Sequence, residues 1–294
     1  MKILLTGASG FIGANLLKWL GSRYQIVAPT SAELNLLDEN AVREYLRAGR
    51  FDVVMHAATT RSNRRTGAPA DMLDRNCRMF FNLVRSRELF GRMLHFGSGA
   101  EYSRAGLPAQ VQESYFDSRV PTDAYGFSKY ICSKYAERLE TVTVLRLFGV
   151  FGPGEDCTVR FISNACARVV KGLPIVIRQN VKFDYLDVAD LAGLTSRFLE
   201  HAPRHKAYNV CRGRSYTLLE LAELVAEVSG CNPEIVIGNR AMAPEYSGDN
   251  SRMLDEMGPH QFREMKDSIC ELYRWYQANA SQIDTRQLQF DDSE

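Results

Sequence analysis

No apolar run in the 294-residue sequence reaches the roughly 20 residues that a membrane-crossing helix needs. Charge of one sign is also missing. The 36 Lys and Arg residues face 35 Asp and Glu, for a formal net charge of +1, so no broad field gathers nucleic acid or an anionic membrane surface. Any anionic ligand must be met by a few local groups. The seven cysteines, Cys77, Cys132, Cys157, Cys166, Cys211, Cys231 and Cys270, are odd in number and contain no C-x-x-C pair. That spacing disfavours both a disulfide framework and a zinc site and points to a reducing compartment. Strand-like residues begin at Lys2, with no charged and apolar leader ahead of them, so the protein is expected in the cytoplasm.

What is present is an alternation of short apolar runs with helical patterns. Lys2 to Thr6 reads as a buried parallel strand, followed by a glycine turn and a helix carrying Phe11, Leu16, Leu17 and Leu20. Further strands are expected at Gln25 to Ala28, Asp52 to Met55, Met93 to Gly97 and Val142 to Leu147, with helices around 39–48, 71–90 and 124–140. This alternation predicts an α/β fold, a Rossmann-like doubly wound parallel sheet. Beyond Pro153 the pattern loosens. A helix near 158–171, a strand at Ile175 to Ile177, a helix from Val188 and another from Leu218 to Ser229 suggest a smaller, partly discontinuous C-terminal lobe for substrate. The expected division is 1–155 for the dinucleotide domain and 156–281 mainly for the lobe, with residues of about 175–200 returning to the first domain. Residues 282–294 are polar and are expected to form a frayed tail.

Gly7-Ala8-Ser9-Gly10-Phe11-Ile12-Gly13 lies between the first strand and the first helix. Small residues there let the backbone approach a pyrophosphate, and the helix N–H groups solvate its charge. The acid that usually accepts the ribose hydroxyls of NAD, about 20 residues on, is absent; the place is held by Ala28-Pro29-Thr30-Ser31. Without a carboxylate to repel a 2′-phosphate, NADP(H) is favoured over NAD, although no Arg stands there to hold that phosphate. Asp38 either reaches the adenine amino group or caps the helix that follows.

Tyr125 and Lys129 are four apart at the start of a helical pattern, so they share a face. A lysine cation beside a tyrosine favours release of its proton, which suits Tyr125 to protonate an alkoxide formed by hydride addition. Ser98 ends a predicted central strand, at the edge where open α/β sheets bind ligands, and its hydroxyl is placed to polarise a carbonyl oxygen. Arg61, Arg64 and Arg65 form a basic loop open to two readings, a phosphate contact or a solvated cluster.

The glycine turn, His56-Ala57-Ala58 after a strand, Ser98 four residues before Tyr102, and Tyr125-x-x-x-Lys129 occur in the order found in the extended short-chain dehydrogenases/reductases. The sequence resembles that family over most of its length to about residue 255, including Arg146 to Pro153 and Phe183 to Asp190. The resemblance implies a catalytic set of Ser98, Tyr125 and Lys129, with Lys129 also holding the nicotinamide ribose. It places Ala57, Ala58, Thr59 and Asn76 beside the cofactor with Gly7, Ser9, Gly10, Phe11, Ile12 and Gly13, and makes His56 a packed residue. It also implies a nucleotide-sugar substrate and a homodimer built on the helix of Tyr125, which carries Tyr130, Ile131 and Tyr135.

Dehydratases of the family resemble one another in an Asp-Glu pair directly after the active-site hydroxyl. Here Gly99 and Ala100 stand there, as candidate substrate neighbours, and Glu101 is expected one place too late on the alternate face of an extended segment. GDP-fucose synthases, similar around Glu33 to Asp38, carry a Cys where this sequence has Ala100. The remaining chemistry is reduction of a 4-keto sugar, favoured here, or 4-epimerisation with retained NAD. The family's Arg before its Asp-Tyr motif is replaced by Phe183, after Lys182, and its Arg-x-x-Asn pattern has Gly149 for the Asn. Arg240 matches its other phosphate-binding Arg. A cofactor-sensing regulator would need no Ser98, Tyr125 and Lys129 set, and an enzyme for non-nucleotide ketones would lack phosphate-directed arginines.

Overall fold

The computed structural model describes residues 1–60, 67 and 69–289, apart from the side chain of Arg240. Arg61, Arg64 and Arg65 therefore lie outside the described residues. Six parallel strands make the first sheet: β1 (Lys2–Thr6), β2 (Gln25–Val27), β3 (Phe51–His56), β4 (Phe90–Ser98), β5 (Val142–Leu147) and β8 (Ala207–Val210), in the order β2-β1-β3-β4-β5-β8. Its helices are α1 (Phe11–Leu20), α2 (Glu39–Gly49), α3 (Met72–Arg85), α4 (Ala124–Ala136), α6 (Val188–Glu200) and α8 (Ser251–Met257). Successive strand residues point to opposite faces, so both neighbours of a pair are buried. Leu5, Val53, Leu94 and Leu145 pack on Leu16, Leu191, Phe198 and Met253. Leu4, Val54, Met93 and Val144 pack on Val42, Leu46, Phe80, Leu83 and Ala136. That double burial explains why these strands read as continuous apolar runs.

The chain leaves β1 for β2 on one side and returns to β3 on the other. Such a reversal opens a crevice at the carboxyl ends of the strands, where open α/β sheets bind ligands. The Gly7 turn and the residues after His56 border it.

A second sheet joins β6 (Gly149–Phe151), β7 (Ile175–Asp187), β9 (Ser215–Thr217) and β10 (Ile235–Tyr246). Above it, α5 (Phe161–Val170), α7 (Leu218–Ser229) and α9 (Met265–Ala278) bury Ile162, Cys166, Leu221, Val225, Ile269 and Leu272 with Ile175 and Ile177 of β7. β7 continues ten residues past the expected end of its strand, to Asp187, because its far half pairs with β6 and β9. Residues 282–289 are not a frayed tail. Ile283 and Leu288 enter the lobe's core, α10 (Thr285–Leu288) forms, and Arg168 Nη1 donates to Leu288 O at 2.9 Å. Two apolar side chains among polar neighbours were enough to dock the segment. No helix among the described residues is long and apolar enough to cross a membrane.

Candidate active site

At the Gly7 turn the backbone geometry excludes side chains. Gly7 has φ +76°, and a Cβ there would lie 2.5 Å from Ala58 N. A Cβ on Gly13 would lie 2.2 Å from Gly7 O, so α1 rests directly on the turn. Gly10 donates its N–H to Gly7 O at 3.0 Å and precedes α1 with no side-chain cap and no acid in the first turn. The first amides of α1 thus keep free donors and a positive dipole end beside a surface of bare backbone. That cradle fits the pyrophosphate of a dinucleotide. Ser9 is exposed on the turn, and Phe11 and Ile12 carry the amides.

At the end of β2, Thr30 N and Oγ1 both donate to Glu33, at 2.7 and 2.9 Å. A carboxylate therefore does stand in this turn, three residues beyond Thr30, already holding two donors. Asp38 is the N-cap of α2, its Oδ1 accepting from Asn40 N and Ala41 N at 2.9 and 3.1 Å. Of its two sequence readings, the structure displays the cap.

Asn76 of α3 binds three segments together. Its Oδ1 accepts from Thr60 N at 2.7 Å and from Thr59 Oγ1 at 3.4 Å, and its Nδ2 donates to Ser128 Oγ of α4 at 3.2 Å. Lys129 is 5% exposed and donates from Nζ to Phe96 O at 2.8 Å. His56 is buried with Nδ1 2.8 Å from Thr6 Oγ1, and its ring stacks on His95 at 5.2 Å. Burial, and then the Lys129 charge, push the His56 pKa down to about 3, so His56 stands neutral in the core.

Ser98 closes β4 and caps a short 3-10 turn over Gly99–Glu101. Its Oγ accepts from Ala100 N at 3.1 Å, while Glu101 Oε1 accepts from Ser98 N at 2.9 Å. The segment is not extended, as the sequence suggested, and Glu101 points inward. It is fully buried and pairs with Arg146 Nε at 2.6 Å. Asp123 caps α4 by accepting from Gly126 N at 2.8 Å, and a Cβ on Gly126 would lie 2.6 Å from Ala100 O. The glycine after Tyr125 thus lets α4 press on the Ser98 turn.

An aromatic floor lies beside this turn. Tyr246, at the end of β10, packs on Phe183 at 4.7 Å and Phe148 at 5.1 Å, and Phe183 stacks on Tyr185 at 4.8 Å. The Arg104 guanidinium sits 4.1 Å over the Tyr246 ring and 5.8 Å from the Phe183 centroid. Arg160 is also near enough to act on both Tyr185 and Tyr246. Gly149 has no room for an Asn side chain, since a Cβ would lie 2.7 Å from Asp184 O. Arg240 belongs to β10, but its side chain lies outside the described residues. The carboxylates of the Phe183 to Asp190 stretch serve the scaffold. Asp184 accepts from Arg212 N and Gly213 N, Asp187 caps α6, and Asp190 accepts from Arg263 N and faces His260.

Sequence reasoning overlooked Tyr246, Arg104 and the Glu101–Arg146 pair. Two glycines are the local signal for Tyr246 and Glu101: a Cβ on Gly99 would lie 2.4 Å from Tyr246 Oη, and one on Gly97 would lie 2.2 Å from Glu101 Oε1. A separate polar cleft between Gln112, Arg204, Asp249, Arg252 and Glu256 opens near the start of β8 and includes none of Ser98, Tyr125 and Lys129.

A parallel sheet with a bare-backbone turn at its switch point is the frame of the dinucleotide-dependent enzymes. The chain belongs to the NAD dependent epimerase/dehydratase family, whose model matches residues 3–211. It is 28% identical over 281 residues to the GDP-6-deoxy-D-mannose reductase of Pseudomonas aeruginosa, covering 87% of this chain and 91% of that one. It is also 28% identical over 278 residues to the ADP-L-glycero-D-manno-heptose-6-epimerase of Pseudomonas paraeruginosa, covering 81% and 82%. Among solved structures, RMD from Pseudomonas aeruginosa complexed with NADPH superposes with a TM-score of 0.79 at 26% identity, covering 95% of this chain and 98% of the other. UDP-glucose 4-epimerase from Thermotoga maritima shares the fold, with a TM-score of 0.81 at 20% identity and coverage of 95% and 99%.

Proposed function

We propose that this chain reduces the 4-keto group of a nucleotide-linked 6-deoxy sugar, with NADPH as the reductant. The observation that supports it is the close packing on the Ser98 turn, through Gly126, of the helix α4 that carries Tyr125 and the buried Lys129. Bound NADPH would supply the hydride for the carbonyl carbon. Ser98 donates a hydrogen bond to the carbonyl oxygen, and Tyr125 delivers the proton that turns it into a hydroxyl. Tyr125 then recovers a proton from solvent. Lys129, whose Nζ donates to Phe96 O at 2.8 Å, would serve the phenol and the nicotinamide ribose.

Gly7, Gly10 and Gly13 with the first amides of α1 take the pyrophosphate, and Ala57, Ala58, Thr59 and Asn76 border the nicotinamide side. The preference for NADPH is supported by the lack of a carboxylate at Ala28 to Ser31 and by the engagement of Glu33 with Thr30. Arg104 and Arg160 are exposed and make no ion pair among the described residues, and they suit the substrate's diphosphate in place of the arginine that Phe183 replaces. Glu101, buried against Arg146, is unavailable to expel water from the sugar, which supports reduction over dehydration.

The reading is tested by following NADPH oxidation with 4-keto-6-deoxy sugars linked to GDP, dTDP or UDP. Turnover that falls at least about a hundredfold in Tyr125→Phe, with NADPH affinity retained, is expected. Stoichiometric NAD released from the denatured protein would instead identify a 4-epimerase. Unchanged biological activity of Tyr125→Phe would identify a cofactor sensor. The protein is further proposed to pair as a homodimer through α3 and α4, where Tyr135 is 38% exposed and packs edge-on to Phe81.

A further inference from the structure

We propose that Glu101 is a positioning residue for the reduction: its carboxylate, anchored by Arg146, accepts from Ser98 N and so fixes the turn that presents the Ser98 hydroxyl. This rests on the reductase reading above. Glu101 Oε1 lies 2.9 Å from Ser98 N, and Ser98 Oγ accepts in return from Ala100 N at 3.1 Å. The two bonds close the turn over Gly99 from both ends. On a protein surface such a box asks only for an exposed Glu. Here the carboxylate is fully buried, and it lies over Gly97, where a Cβ would approach its Oε1 to 2.2 Å. The strand lacks a side chain at the one place where the acid enters.

A buried carboxylate needs a cation and filled lone pairs. Arg146 stands beside Gly97 in the register of β4 and β5 and donates from Nε to Glu101 Oε2 at 2.6 Å. Its Nη1 donates to Tyr102 Oη at 3.2 Å, and Tyr102 Oη donates to Asn209 Oδ1 at 2.7 Å. The guanidinium also lies 4.0 Å from the Phe116 centroid. Stability alone does not ask for this arrangement, because a well-packed apolar pair in place of a buried ion pair is often as stable. What an apolar pair cannot supply is an acceptor for Ser98 N. Without that bond the side-chain ties of the turn reduce to the one made by Ser98 Oγ itself, and other staggered positions open to the hydroxyl. Misplacing the group that polarises the carbonyl slows the chemical step and leaves substrate binding in place.

The test compares two double replacements, with NADPH and the keto sugar nucleotide that the wild type turns over. Glu101→Leu with Arg146→Met removes both charges and the acceptor. Glu101→Gln with Arg146→Met removes the charges and keeps an oxygen for Ser98 N. Both are expected to stay folded, as judged by thermal unfolding. The Leu pair is expected to lose about tenfold in kcat, the worth of one hydrogen bond to a charged group, with KM within about twofold. The Gln pair should recover most of that loss, and the loss should vanish in the Ser98→Ala background. Equal kcat in the two pairs, a rise in KM alone, or an undiminished loss in Ser98→Ala would overturn the proposal. Unfolding of either pair would overturn it too, since the ion pair would then serve the fold. If the wild type reduces none of the sugars, the functional reading fails, and the contact is read directly. In protein labelled with ¹⁵N-serine and with NADP⁺ bound, the Ser98 amide proton, assigned by its loss in Ser98→Ala, should move upfield in the Leu pair and less in the Gln pair. A resonance that stays in place in both would refute the contact.

Discussion

At Asp184 a carboxyl group buried against Cys211 accepts from two backbone amides, Arg212 N at 2.9 Å and Gly213 N at 2.8 Å. Burial outweighs those bonds and pushes its pKa up to about 7. The folded protein therefore holds a proton that the unfolded chain releases near the ordinary carboxylate value of about 4. Stability contributed by that proton is fully present below about pH 4 and is lost as the pH rises through about 7. The stability of the wild type relative to Asp184→Asn should thus fall between pH 4 and 7 and level off above it. Urea unfolding of both proteins at pH 4.5, 6 and 8 checks this, and a difference that rises with pH would contradict it. Asp184 was legible in the sequence as part of Phe183 to Asp190, but its partners sit 28 and 29 residues away, and no local pattern names them. Glu101 repeats the lesson: Arg146 lies 45 residues on and turns it inward.

The elements divide by how local their causes are. β5 and α7 were bounded correctly from the sequence, since the first is a fully buried strand and the second has its own signals, the Thr217 capping box and Gly230 at φ +65°. β10 and α9 were not read, because β10 is half exposed and irregular in register along β7, and a mixed pattern without clean alternation hides a strand. The α1 junction is local and demanding. Gly13→Ala would drive a methyl into Gly7 O at 2.2 Å, so α1 must lift from the turn that it supports. NADPH affinity is expected to fall at least about tenfold, the cost of a buried clash of 1 to 3 kcal/mol. Fluorescence titration of NADPH checks it, and wild-type affinity would show that the turn does not hold the dinucleotide.

In the whole molecule two sheets meet at the aromatic floor, with Ser98 from the first and Tyr246 from the second. The homodimer proposed above predicts a dimer in sedimentation at micromolar concentration, and dissociation by Tyr135→Asp, which would bury a charge at the α3–α4 face. Monomer alone in the wild type would dismiss it. The doubly wound fold, the glycine turn and the order of Ser98, Tyr125 and Lys129 follow from the chain alone, because each rests on residues close in sequence: apolar runs, small residues at a turn, a one-turn helical spacing. The inward turn of Glu101, the docking of residues 282–289 and the meeting of Tyr246 with Gly99 arise only on folding. They join segments up to 147 positions apart, whose contacts follow from how helices and sheets pack and leave no periodic trace along the chain.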